Sequence, residues 1–196
     1  MGSVSTGFSM SLDGFVAEPD DNVERVFRWY TLGGATQQIE QGGDAIPMND
    51  AGAEFVKEAA KTIGALVTGR RQYEQTHGWG GKHPVDAPIV VVTHRPAPAW
   101  VQPDWPVTFI HEGVEDAILE AKKLAGEKTV AVASTTIVQQ CLNLGLLDEI
   151  HIDLAPVLLS HGVALFANLT TGPLDLEITD VSPGNGVTHL TYRVVK

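Results

Sequence analysis

The chain has 196 residues, 43% hydrophobic and 19% charged, which is an ordinary globular balance with length enough for one domain, residues 1–196, around a sizeable core. Its formal net charge of −11 repels phosphate backbones and excludes general nucleic-acid binding, while one small anionic ligand held by a local basic cluster remains compatible. No run approaches 18 apolar residues, so no membrane span is expected.

Residues 3–11 (SVSTGFSMS) alternate loosely and read as a first strand, which Gly, Pro and Asp in 12–22 break. Asn22 or Asp21 caps a short predicted helix over 23–31. Residues 32–50 are glycine-rich and read as a long irregular segment, a kind that is often functional. Asp50 is the predicted N-cap of a helix over 51–63, with Ala53, Val56, Ala60 and Ile63 on its inner face. A buried strand at 64–69 leads straight into a helix at 70–76. Strands follow at 87–95 and 107–110. An amphipathic helix spans 114–126, turning Ile118, Ala121 and Leu124 or Ala125 inward and ending at Gly126. Strand 128–133, helix 135–145 and strand 148–159 come next. Two β-rich runs, 174–182 and 186–195, flank PGNG, a hairpin signal. Strands alternating with helices and then pairing at the end predict an α/β fold with a mostly parallel sheet and an antiparallel C-terminal edge.

The single cysteine, Cys141, leaves no intrachain disulfide or cysteine-rich zinc site, and its apolar surroundings suggest a buried thiol. The seven histidines form no tight three-ligand set by spacing, so no metal site is expected. MGSVSTGFSM lacks the basic and apolar regions of a signal peptide. A cytoplasmic protein is the expectation.

Open α/β sheets bind ligands at the carboxyl ends of their strands. Four such ends carry polar or basic residues: Leu12-Asp13-Gly14, Gly69-Arg70-Arg71, Thr93-His94-Arg95 and Ser134-Thr135-Thr136. Each alone is ordinarily a turn, a solvated pair or a helix cap. Together they suit an anionic cofactor with separate phosphates, because helix N-termini favour anions and Arg offers a planar fork to phosphate. Neither G-x-G-x-x-G nor G-x-x-x-x-G-K-[ST] follows a strand, which excludes an ordinary Rossmann domain or P-loop.

The stretches SLDGFVA (11–17), LVTGRRQYE (66–74), VVVTHR (90–95) and GLLDEIHIDLAPVLLSHGVALF (145–166) resemble the dihydrofolate-reductase-like family. The similarity is to the group around the reductase domain of the riboflavin-biosynthesis deaminase/reductase. That resemblance implies a three-layer fold, NADPH binding, hydride transfer and a homodimer. It implies that Gly69, Arg70 and Arg71 face the cofactor phosphates. Thr93, His94 and Arg95 would lie near the adenosine ribose, where Arg95 or Arg71 favours NADPH over NADH. Leu12, Asp13 and Gly14 would lie near the nicotinamide, and Ala133, Ser134, Thr135 and Thr136 at the pyrophosphate turn. Family members usually carry Gly-Gly where this chain has Ala133-Ser134, and glycine where it has Ser160. A cis bond between non-proline residues costs about 3 kcal/mol, so that turn either holds a modified phosphate site or marks a lost one.

Asp13 is the candidate polar group beside nicotinamide or substrate, although Asp-Gly is also a common turn. Trp29 and Trp79 are candidate pocket residues, with packing as the alternative. The deaminase reaction of the riboflavin enzyme needs H-x-E and P-C-x-x-C, which one cysteine cannot supply. The leading expectation is an NADPH-dependent reductase of a small heterocyclic or carbonyl compound. The rival is a ligand-binding protein on the same fold without turnover.

Overall fold

In chain order the strands are β1 (Val4–Ser11), β2 (Phe15–Ala17), β3 (Gln37–Gln41), β4 (Asp44–Met48), β5 (Ile63–Gly69), β6 (Ile89–Val92), β7 (Val107–Ile110), β8 (Thr129–Val132), β9 (Glu149–Ala155), β10 (Val163–Ala164), β11 (Leu176–Gly184) and β12 (Val187–Val194). The α-helices are α1 (Glu24–Phe27), α2 (Asp50–Thr62), α3 (Arg70–Gln75), α4 (Val114–Ala125) and α5 (Thr135–Asn143). These elements belong to a computed structural model that describes residues 2–41 and 44–196, with the side chains of residues 40, 41 and 44 left aside.

An eight-stranded sheet runs in the order β11-β12-β9-β1-β8-β5-β6-β7. From β9 to β7 every neighbouring pair is parallel, whereas β12 lies antiparallel to β9 and β11 antiparallel to β12. This is the mostly parallel sheet with an antiparallel edge hairpin that the element pattern predicts. Alternation along each strand splits the apolar residues between two faces. Val4, Val67, Val90, Val130, Val132, Ile150 and Ile152 pack with Ile118 and Ala121 of α4 and with Ile137, Val138 and Cys141 of α5. Leu66, Ile89 and Val91 face the other way, onto Tyr73 of α3 and Trp79. Helices therefore cover both faces. Burying each such aliphatic side chain contributes about 1.5–3 kcal/mol. Burial also pushes the Cys141 thiol up to about 12, consistent with an inert core cysteine.

The structure departs from the sequence expectations at several elements. The segment 32–50 contains a hairpin in which β3 pairs with β4 through Gln37↔Met48 and Ile39↔Ile46; Gly42 and Gly43 lie outside the described residues. The helix expected over 23–31 is one α-turn followed by a 3-10 turn over Arg28–Tyr30. Its start is held by Asn22, whose side chain accepts the Glu24 N–H at 2.9 Å, and not by Asp21. The cap of α2 is Asn49, not Asp50. Asn49 Oδ1 accepts the Gly52 N–H at 2.8 Å while its amide donates to the carbonyls of Trp29 (2.6 Å) and Leu32 (3.1 Å). A carboxylate accepts but cannot donate, so an aspartate could not serve all three groups. Of the residues expected on the inner face of α2, Ala53 is fully buried and Val56, Ala60 and Ile63 are half-buried. On α4 it is Ala125, not Leu124, that turns inward. β2 and β10, absent from the sequence expectations, pair with each other and tie the turn after β1 to the loop after β9.

Candidate functional site

Parallel pairing puts the carboxyl ends of β9, β1, β8, β5 and β6 along one edge in that spatial order. The four polar segments, dispersed from residue 12 to residue 136, thus become neighbours: Leu12–Gly14, then Ala133–Thr136, then Gly69–Arg71, then Thr93–Arg95. From β1 to β6 is three strand spacings, about 15 Å. Contact between two of these segments is direct, since a Cβ added at Gly69 would lie 2.9 Å from Ser134 Oγ. Glycine at 69 makes room for the serine that stands in the next turn.

Ser134 is the N-cap residue of α5, yet its side chain makes no capping bond. Its hydroxyl lies 3.3 Å from that of Thr136 instead, so the first-turn N–H groups of α5 receive no side-chain acceptor from Ser134. No cis peptide occurs among the described residues, so Ala133 and Ser134 are joined in the ordinary trans form.

The three arginines of this rim divide into two kinds. Arg70 is only 12% exposed; its Nε meets Glu74 Oε1 at 2.9 Å and its Nη1 donates to the Pro96 carbonyl at 2.7 Å. It ties α3 to the loop after β6. Arg71 is 73% exposed and pairs with Asp21 at 2.5 Å, and Arg95 is 62% exposed and pairs with Glu74 at 2.9 Å. Exposed pairs of this sort contribute roughly 0–1 kcal/mol, so Arg71 and Arg95 can exchange their partners for a ligand anion at little cost. Substituting Arg70 with Ala is expected to destabilise the fold by about 1–3 kcal/mol through the lost charge-assisted bonds, read as a lowered urea midpoint. An unchanged midpoint would count against the tether. Thr93 is buried and its hydroxyl accepts the Arg95 N–H at 3.1 Å, shaping that turn, while His94 is exposed.

Asp13 is committed to local structure. Ser11 Oγ donates to Oδ1 at 2.6 Å, and the N–H groups of Leu159 and Ser160 donate at 3.1 and 2.7 Å. Ser160, at the family's usual glycine, holds a left-handed φ of 68°. The Ser11 hydroxyl first, and then the two N–H groups, hold the Asp13 carboxyl below its ordinary 3.8. A lowered folded-state pKa contributes stability that is present above the unfolded value and lost as pH falls through the folded one. The stability advantage of the wild type over Asp13→Asn should therefore be full at pH 6 and shrink below pH 3.8. Urea unfolding at pH 6 and pH 3 measures this, and an advantage that did not shrink would contradict the pin.

Trp29 and Trp79 are both buried in packing. Trp79 lies against Tyr73 and His83 inside a left-handed turn, His77–Gly81, where Gly78, Trp79 and Gly80 have φ of 61°, 51° and 57°. Trp29 stacks on Tyr30 at 4.0 Å and donates its Nε1–H to Ser9 Oγ at 2.9 Å.

Beneath Trp29 lies a cluster that the sequence reading passed over. Sheet register places Ser9, Asp153 and His189 side by side across β1, β9 and β12. Asp153 is buried at 8% exposure, and its Oδ1 lies 2.7 Å from His189 Nδ1. Burial raises the Asp153 pKa, and the His189 bond and charge only partly offset that. Tyr30 is also raised, by burial and then by the Asp153 charge. Trp29 meets the His189 ring edge-on at 5.4 Å, and Phe55 of α2 lies nearly parallel to it at 6.4 Å. The available signal was the polar face of β9, where Glu149, His151 and Asp153 alternate with Ile150 and Ile152; on that face Asp153 alone of the three is buried, where a carboxylate needs a partner.

The fold recurs in known structures. The chain superposes on a protein from Shewanella sp. PV-4 described as a riboflavin biosynthesis protein, with TM-score 0.75 and 21% identity over 99% of both chains. It has the dihydrofolate-reductase-like fold. Dihydrofolate reductase from Enterococcus faecalis, solved with NADP(H), matches at TM-score 0.56 and 17% identity over 100% of this chain and 98% of the reductase. A deaminase/reductase from Thermotoga maritima matches at TM-score 0.65 and 12% identity, with 99% of this chain covering 57% of the larger protein. No protein-family model and no curated protein sequence matches the chain. Among the described residues, no helix is long and apolar enough to cross a membrane.

Proposed function

We propose that the protein is an NADPH-dependent reductase of a small heterocyclic or carbonyl compound. The observation that carries this reading is the row of strand ends from Leu12 to Arg95, with the uncapped start of α5 in its middle and two exchangeable arginines at its far end. The residues fit an extended cofactor with two separate phosphate groups. Ser134, Thr135 and Thr136 offer hydroxyl and N–H donors for a pyrophosphate. Arg71 and Arg95 offer planar forks for a ribose phosphate, which favours NADPH over NADH. Leu12–Gly14, held by the Asp13 bonds, borders the nicotinamide end. When bound, the cofactor supplies the hydride; the chain positions the reactants and keeps water out.

Thermal unfolding with each nicotinamide cofactor tests the reading. NADPH at 100 times its Kd should stabilise the protein by about 2.7 kcal/mol, with a much smaller effect from NADH at equal concentration. No shift at millimolar NADPH or NADP+ would overturn it. The Ala133-Ser134 pair favours a second reading, a ligand-binding protein without turnover, which measured reduction of any substrate would rule out.

A homodimer is part of the proposal. The sheet ends in β11, an edge strand with Leu176, Ile178 and Val181 exposed, and long apolar edges are ordinarily covered. Light scattering on the purified protein distinguishes a dimer from a monomer.

A further inference from the structure

We propose that His189 is the proton donor of the reduction and that Asp153 is its positioning residue; this rests on the reductase reading above. Four observations carry it. The pair lies at the same end of the sheet as Leu12–Gly14, because Asp153 is two residues short of the carboxyl end of β9 and pairs with Ser9 of β1. Asp153 is buried and touches His189 through Nδ1 alone, which leaves Nε2 for another partner. The His189 side chain keeps 30% of its surface exposed, against 11% for Asp153. The ring is seated against the backbone of Gly184, where only glycine leaves room for it, since a Cβ added there would fall 2.5 Å from Nε2. Gly184 has no positive φ, so the glycine there answers to the histidine and not to the backbone.

An ionised carboxylate only accepts, so the neutral ring carries its proton on Nδ1 and gains a second on Nε2 when charged. In reduction of a C=N or C=O bond, carbon takes a hydride, with its two electrons, from the nicotinamide donor. The π pair moves to the heteroatom. His189 Nε2–H then gives that atom its proton, the N–H electrons returning to nitrogen, and the neutral ring is reprotonated from solvent. Hydride and proton together complete the HC–NH or HC–OH product. Phe55, which is exposed and nearly parallel to the His189 ring, offers a flat apolar face to an aromatic substrate body. The titratable groups around the pair are His151, further along β9, and Tyr30 of the 3-10 turn after α1, which lies near enough to Asp153 to feel its charge. On the β11 side stand Ser182, which bonds Asp180, and Gly184. Trp29 and Phe55 carry no charge.

The first test needs no cofactor or substrate. Nitrogen-15 NMR of the free wild-type protein should show neutral His189 as the Nδ1–H form with a strongly hydrogen-bonded proton, and Asp153→Asn should lose that signature. A neutral Nε2–H form in the wild type would overturn the proposal. The second test follows NADPH oxidation with 4-nitrobenzaldehyde and 3,4-dihydroisoquinoline as carbonyl and imine probes. Where the wild type turns over either probe, its rate should fall as pH rises. His189→Gln should lose about 10²–10⁴-fold and that pH dependence with it, while NADPH protection against unfolding is retained. Retained rate and pH profile would sink the proton-donor role and leave the reductase reading standing. Absence of NADPH protection in the wild type would sink the reading and the proposal together. Should His189→Gln fail to fold, Gly184→Ala moves the ring without removing it and is expected to lower the rate, and the NMR test on the wild type decides in any case.

Discussion

Replacing Trp29 with alanine is expected to lower the free energy of unfolding by about 3–5 kcal/mol, the range for deleting a large buried aromatic side chain. The indole is 3% exposed. It stacks on Tyr30, meets Phe55 edge-on at 5.9 Å and covers His189. The backbone carbonyl of Trp29 also takes a bond from Asn49, the cap of α2. Its removal leaves Ser9 Oγ without a donor beneath a cavity. Trp29→Phe keeps most of the volume and loses the Nε1–H bond, so its cost should be clearly smaller. Urea unfolding of the three proteins measures both steps. A loss below about 1 kcal/mol for the alanine variant would mean that the aromatic cluster collapses to fill the space, and that Trp29 does not organise it.

The second large effect concerns the arginines at the rim. Removing Arg71 and Arg95 together should weaken NADPH binding by 10-fold or more, because a hydrogen bond to a charged group contributes about 1.5–3 kcal/mol. NADH binding should change far less, since it lacks the ribose phosphate. The melting temperature should hardly move, because both side chains are mostly exposed and their present partners, Asp21 and Glu74, are carboxylates at the surface. Arg70→Ala is expected to behave in the opposite way, with stability lost through the Pro96 and Glu74 bonds. Isothermal titration with the two cofactors separates these outcomes. Equal loss of NADPH and NADH affinity would place the arginines on the pyrophosphate instead of the ribose, and no loss for either would remove them from the site.

Most of the architecture was legible along the chain. Strands β5, β6 and β8 are short apolar runs bounded by polar residues, and α4 carries a clear 3.6-residue period that ends at Gly126. Such local signals survive in the structure because burial rewards the same pattern that local propensity favours. The hairpin of β3 and β4 escaped because QQIEQ and DAIPM are weak strand formers, in which only Ile39 and Ile46 hint at pairing. Likewise β2 and β10 are too short to show a period; they exist because the turn after β1 lies against the loop after β9, with Asp13 joining the two.

By itself the sequence determined the alternation of strands and helices, the parallel centre with its antiparallel edge, and the identity of the polar strand ends. These follow from periods of two and 3.6 residues and from turn chemistry, all local properties. Only the tertiary structure decided how those ends sort themselves. It separated Arg70, bound to a carbonyl and a carboxylate, from Arg71 and Arg95, which remain at the surface. It also brought Ser9, Asp153 and His189 together from three strands far apart in the chain. Register and burial create that cluster, and no stretch of sequence contains them.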